Sequence, residues 1–308
     1  MKILLTGGNG MVGRNILAHK ESKNYLILSP GRKDLDLLCP IKIDAYLQEH
    51  QPDFIIHAAG IVGGIEANIK EPRKFLSDNA NIGLNLINSA LKNSVDSFLN
   101  LGSSCMYPKN AKNPLEVSSI LDGKLEPTNE GYALSKILAL KLCEYISVEN
   151  PKKNYKTIIP CNLYGKFDNF DPGSSHMIPA VIHKIYQAHI NNISTVDIWG
   201  DGTARREFML GSSFADFIFY SIKHFKKMPQ KMNVGLGYDY DINNYYSSIA
   251  KVIGYEGKFI NNLDKPIGMK RKLVNIDELS FFGWSNKISL EEGIQETFNY
   301  YKEIKHEI

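Results

Sequence analysis

A serine, a cysteine, a tyrosine and a lysine gather in one stretch of the chain, Leu101 to Lys136, and side chains of these types can together hold a ketone and move protons around it. The segment Gly102-Ser103-Ser104-Cys105-Met106-Tyr107-Pro108-Lys109 carries hydroxyls and a thiol. Tyr132-Ala133-Leu134-Ser135-Lys136 carries a phenol and an ammonium. Tyr132 and Lys136 are four residues apart, so in a helix they share a face. A cation placed there is expected to lower the pKa of the phenol and make it a usable proton donor.

Such groups need a frame, and the first half of the chain reads as one. Lys2 to Thr6 is a short apolar strand followed at once by Gly7-Gly8-Asn9-Gly10-Met11-Val12-Gly13 and an amphipathic stretch through Ala18. Glycines at 7, 10 and 13 permit a tight turn that brings backbone N–H groups to a pyrophosphate at a helix N-terminus. Tyr25 to Leu28 reads as the second strand. An NAD site usually ends that strand with a carboxylate for the ribose, whereas this chain continues Ser29-Pro30-Gly31-Arg32-Lys33. Arg32, helped by Ser29 or Lys33, suits a 2′-phosphate, so NADP(H) is the expected cofactor. Phe54 to Gly60 is a third buried strand running into small residues such as Ala58, with His57 as a core or strand-end residue. Asn79 to Lys92 has helical spacing, and Ser97 to Leu101 is a fourth strand that delivers Ser103 to its C-terminal edge. Ligands of doubly wound sheets bind beyond the strand C-termini, which is where the reactive stretch then falls.

Composition narrows the class. The chain has 308 residues, enough for one large or two moderate domains, with 43% hydrophobic and 22% charged residues, as in ordinary globular proteins. A formal net charge of +3 without a basic block argues against nucleic acid or a membrane surface as partner. Cys39, Cys105, Cys143 and Cys161 have neither metal-ligand spacing nor the density of a disulfide framework, so no metal is expected. No apolar run approaches the ~20 residues needed to span a bilayer. A soluble cytoplasmic protein is expected.

The glycine motif, the strand-end serine and the Tyr-x-x-x-Lys together resemble an extended short-chain dehydrogenase/reductase. Longer strings resemble the GDP-L-fucose synthase family within it: Val62-Gly63-Gly64-Ile65 with Ala67-Asn68, Leu101 to Lys109, Leu125-Glu126-Pro127-Thr128-Asn129-Glu130, Asn162-Leu163-Tyr164-Gly165 and Asp168-Asn169-Phe170. Ser175-His176 with Ile178-Pro179-Ala180, Trp199-Gly200 and Arg206-Glu207-Phe208 continue the likeness, which runs from Lys2 to the final helix. The expected architecture is α/β: a Rossmann-type doubly wound parallel sheet over residues 1–166, completed by part of 207–235. A smaller mixed C-terminal substrate region over 167–308 interleaves with it.

The resemblance implies roles residue by residue. Tyr132 would protonate the C4 oxygen of a 4-keto sugar as hydride arrives, Ser103 would hydrogen-bond that oxygen, and Lys136 would hold the nicotinamide ribose. Cys105 and His176 fall on the family's epimerase pair. The C4 ketone acidifies C3 and C5, and a thiol with an imidazole can supply the base on one face and the acid on the other. Gly7, Gly10, Met11, Val12, Gly13, Arg32, Ala58, Lys136, Asn162 and Leu163 would meet the cofactor. Ser104, Asn162, His176, Lys184, Trp199, Arg206 and Arg271 would meet a GDP-linked 4-keto sugar. Ser104-Cys105 stand where 4,6-dehydratases carry an Asp-Glu pair, which argues against water elimination. The family also implies a homodimer.

Two strings depart from the family. Leu210-Gly211-Ser212-Ser213 replaces His-Val-Asp-Asp, keeping helix-capping side chains while losing two carboxylates. Lys265-Pro266-Ile267-Gly268-Met269-Lys270-Arg271-Lys272 has Ile267 at a usual Asp, which cannot accept a hydroxyl hydrogen bond. A reductase without epimerase activity, acting on a GDP-4-keto-heptose, is the first rival reading. A non-catalytic NADP(H)-binding sensor is the second. Ile288 to Tyr301 reads as a capped amphipathic helix.

Overall fold

In the computed structural model, which describes residues 1–171, 174–264 and 268–306, strands buried along almost their whole length build a sheet covered on both sides. The first half runs β1 (Lys2–Thr6), α1 (Met11–Ala18), β2 (Leu26–Leu28), α2 (Pro40–His50), β3 (Phe54–His57), α3 (Ile65–Lys70), α4 (Pro72–Lys92), β4 (Ser97–Leu101), α5 (Glu130–Glu149) and β5 (Asn154–Pro160). Next come β6 (Asn162–Tyr164), α6 (Met177–Ile190), β7 (Thr195–Trp199), β8 (Arg205–Arg206), β9 (Phe208–Leu210), α7 (Gly211–Lys223) and β10 (Lys231–Val234). The chain closes with β11 (Tyr240–Asp241), α8 (Ile242–Ile253), β12 (Lys258–Asn262), β13 (Arg271–Lys272), α9 (Asp277–Phe282) and α10 (Leu290–His306).

The main sheet has six strands in the order β10-β5-β4-β3-β1-β2, all parallel. Ile3 and Leu5 pack with Phe214 and Phe217 of α7 on one face, and Leu4 packs with Leu86 and Ile87 of α4 on the other. The order reverses between β1 and β3, leaving a crevice at their C-terminal ends. The fold is thus the expected doubly wound parallel sheet, and α7 and β10 complete it from beyond the first 166 residues.

A second apolar cluster joins α6, α8 and α10 through Ile178, Ile182, Ile249, Ile294, Phe298 and Tyr301. Small sheets border it, in the orders β11-β8-β13, β12-β7 and β6-β9. Ser289 and Glu292 cap α10 reciprocally: Ser289 N donates to Glu292 Oε2 at 2.8 Å and Glu292 N to Ser289 Oγ at 3.3 Å.

Some boundaries differ from the sequence reading. Helix α4 starts at Pro72, seven residues before Asn79, because proline suits the first helical position and Phe75 supplies a buried anchor in an otherwise polar turn. The caps expected from Ser212 and Ser213 do not form. Leu210 is the N-cap of α7, so both serines fall inside the first turn, where their hydroxyl oxygens are buried without partners. Ile267, with Lys265 and Pro266, lies outside the described residues. No helix among the described residues is long and apolar enough to cross a membrane.

Candidate active site

The C-terminal ends of β1, β3 and β4 open into a cavity of about 1410 Å³ that continues to α6 and β7. Typical small-molecule pockets hold roughly 300–1,000 Å³, so this one has room for two ligands end to end.

At the β1 end, Gly10 N donates to Gly7 O at 3.0 Å and Arg14 N to Gly10 O at 2.9 Å, closing the turn into α1. Gly7 has φ +75°, and a Cβ there would lie 2.6 Å from Ala59 N; one on Gly13 would lie 2.3 Å from Gly7 O. Only glycine fits at either place. Gly10 caps α1 without a side chain over the first-turn amides, the arrangement that receives a diphosphate. Arg32 is exposed and lines the cavity beside Pro30 and Gly31, as do Met11, Val12 and Ala58. Ser29 and Lys33 are not among the lining residues. The Ser29 hydroxyl instead sits against Gly8, where an added Cβ would come within 1.7 Å of it. A glycine cradle closed to larger side chains, with a free-standing guanidinium beyond β2, fits NADP(H).

Ser103 lies just past the end of β4, after Gly102. Its hydroxyl accepts from Cys105 N at 3.2 Å, capping a single helical turn over Ser104–Met106 and turning the chain along the cavity wall. Helix α5 brings up Tyr132 and Lys136. Lys136 is buried, donates from Nζ to Leu101 O at 3.0 Å and lies 5.8 Å from the centre of the Tyr132 ring. Burial draws its pKa down to about 8. The expected lowering of the phenol by this cation does not occur. Burial raises the Tyr132 pKa well above its ordinary value, the neighbouring Cys105 adds to the rise, and a hydrogen bond with Ser103 only partly offsets it. The ammonium is directed at a backbone carbonyl and lies over the ring, leaving the phenol protonated.

Cys105 is half-buried in the same wall. Its sulfur accepts from Asn129 Nδ2 at 3.2 Å and has Lys272 Nζ at 3.8 Å. His176 occupies the N-cap position of α6 and lines the cavity, and desolvation holds its imidazole below the usual histidine pKa. His57 is a core residue: it is buried, bonded to Thr6 Oγ1 at 2.9 Å and drawn down to about 3 by burial.

Farther out, Ser104, Asn162, Leu163, Lys184, Trp199 and Arg206 all line the cavity. Asn162 Nδ2 donates to Glu207 O at 3.1 Å, and Lys184 is paired with Asp197 at 2.8 Å. Arg271 is not among the lining residues. Its guanidinium is held by Asp239 at 2.5 Å, a carboxylate shared with Arg205, and its neighbour Lys272 enters the cavity instead. Ser212 and Ser213 do not line the cavity either. Lys272, Asn129 and Asp168 are lining residues to which the sequence reading assigns no part. Asn129 and Asp168 belong to strings quoted for the resemblance, so their signal was present without a role, whereas Lys272 lies in a string that departs from the family. Asp168 has a buried Oδ2 with no partner, and burial raises its carboxyl to about 6.

Residues 3–235 match the NAD dependent epimerase/dehydratase family. A GDP-L-colitose synthase of Yersinia pseudotuberculosis is 58% identical over 98% of both chains. A GDP-L-fucose synthase of Azorhizobium caulinodans is 48% identical over 97% of this chain and 96% of that one. Among solved structures, a GDP-mannoheptose C4 reductase from Campylobacter jejuni with NADP bound superposes with a TM-score of 0.88 at 27% identity, over 98% of each chain.

Proposed function

The chain belongs to the NAD dependent epimerase/dehydratase family, and from that premise we propose that it reduces the C4 ketone of a GDP-4-keto sugar with NADPH and inverts the carbons that flank the ketone. The observation that carries this reading is the convergence of Ser103, Tyr132, Cys105 and His176 on one cavity with the glycine cradle at its other end. NADPH, when bound, supplies the hydride. Tyr132, protonated in its buried setting, gives its proton to the C4 oxygen, which Ser103 also hydrogen-bonds. Lys136 orients the nicotinamide ribose. Cys105 removes a proton from carbon on one face of the sugar, and His176 returns one on the other. Charge left by deprotonation rests on the same oxygen that Ser103 and Tyr132 serve, so one pair of donors supports both steps. Trp199, Arg206 and Lys184 meet the GDP and sugar at the far end.

Two copies pair through α4 and α5. Leu76 on α4 and Leu134, Leu138, Tyr145 and Val148 on α5 are exposed, and the α5 residues recur at helical spacing opposite its buried side. All four cysteines are free, which suits a reducing cytoplasm.

Incubation with GDP-4-keto-6-deoxy-D-mannose and NADPH in deuterated water tests the chemistry. Deuterium at C3 and C5 of a reduced product is expected, and Cys105→Ser should lose it. Reduction without carbon-bound label would favour the reductase-only reading, to which the likeness to a heptose C4 reductase gives weight. Failure to oxidise NADPH with any GDP-4-keto sugar would overturn the assignment.

A further inference from the structure

Two side chains from distant parts of the chain meet the sulfur of Cys105, and neither is held there by a routine structural role. Asn129 is the N-cap residue of α5, where an asparagine ordinarily bonds a first-turn amide, a contribution of about 1 kcal/mol. Here it makes no cap bond, its Oδ1 is buried without a partner, and its amide is turned onto Sγ at 3.2 Å. Lys272 comes from β13, where alternation sends it and Arg271 to opposite sides. Arg271 is fastened to Asp239, and the following residues are fastened too: Leu273 N donates to Asn113 Oδ1 at 2.9 Å, and Val274 N to the buried Glu207 Oε2 at 2.9 Å. This backbone is pinned on both sides of the lysine, and its Nζ comes to 3.8 Å from the sulfur.

A sulfur that takes a proton from carbon must be an anion at that moment. A hydrogen-bond donor and a cation beside it stabilise that anion and fix where its lone pair points. We propose that Asn129 and Lys272 are positioning residues for Cys105, aiming its sulfur and supporting the negative charge it carries during proton transfer at the carbons beside the ketone, a duty separate from hydride transfer at C4. The proposal rests on Cys105 as the base, and its test separates the two ideas.

In the substrate-free protein, alkylation of Cys105 by iodoacetamide, followed on its own peptide by mass spectrometry, should slow in Lys272→Met by roughly tenfold, the factor matching loss of one hydrogen bond to a charged group. Lys272→Arg, which keeps the charge, should recover part of that rate. With GDP-4-keto-6-deoxy-D-mannose in deuterated water, deuterium entering C3 and C5 per NADPH oxidised should fall by a similar factor, again roughly tenfold, in Lys272→Met and Asn129→Ala. A purely structural loss would lower both quantities together and leave their ratio unmoved. Wild-type alkylation in Lys272→Met, or a wild-type ratio in both variants while Cys105→Ser abolishes exchange, overturns the proposal alone. Exchange that survives in Cys105→Ser removes the base itself and the proposal with it.

Discussion

The protonation state of Tyr132 follows from its surroundings and not from its partner four residues on. Burial and the adjacent sulfur keep the phenol neutral, which is the state a proton donor must be in before hydride arrives. Tyr132→Phe preserves the ring and removes the proton, so the rate of NADPH oxidation with a GDP-4-keto sugar should fall by about 100- to 10,000-fold, while NADPH fluorescence still reports binding. Ser103, Tyr132 and Lys136 were legible because their spacing and the strand before them imply one site. The direction of the phenol's shift was not, because it depends on where Lys136 Nζ points, and Leu101 O decides that. Lys272 was illegible for a different reason: it and Arg271 are adjacent cations, and only the position of Asp239 tells which one reaches the cavity.

At the scale of elements, the turn from β1 into α1 was readable as a cofactor cradle, and the structure supplies its tolerance. Gly13→Ala would drive a methyl to 2.3 Å from Gly7 O, so both thermal stability and NADPH affinity should drop, which calorimetry can measure together. The tie from Glu207, between β8 and β9, to the segments that follow β10 and β13 had no sequence signal, since it depends on one carboxylate reaching two loops. Glu207 is fully buried, accepts from Gly237 N at 3.0 Å and Val274 N at 2.9 Å, and also bonds Leu236 N. Burial raises its pKa from 4.5 to about 7, so its stabilising effect is complete below about pH 4.5 and is lost as pH rises through about 7. In Glu207→Gln an amide N–H₂ replaces one acceptor oxygen, which strands one of these donors at roughly 1–3 kcal/mol. Melting curves should show the wild type ahead, by a margin that narrows between pH 4.5 and 7.

For the molecule as a whole, the doubly wound sheet was legible from alternating apolar runs and glycine punctuation. The return of α7 and β10 to the sheet, inside the 207–235 range expected to complete it, was legible only through the family resemblance, because the long connections before them carry no local signal. The apolar stripe on α5 makes a claim at this scale. Leu138→Glu should convert a species of twice the chain mass to a single chain in light scattering, and an unchanged mass would refute pairing through that face. The doubly anchored strand β13 has one more consequence, for how such a chain tolerates change. Asp239 grips Arg271 and Glu207 grips Val274, so the spacing between those two grips selects which cation meets the sulfur. Many substitutions nearby leave that spacing intact, whereas a single inserted or deleted residue exchanges the two sides of the strand. In this segment inheritance is expected to guard length more strictly than letters.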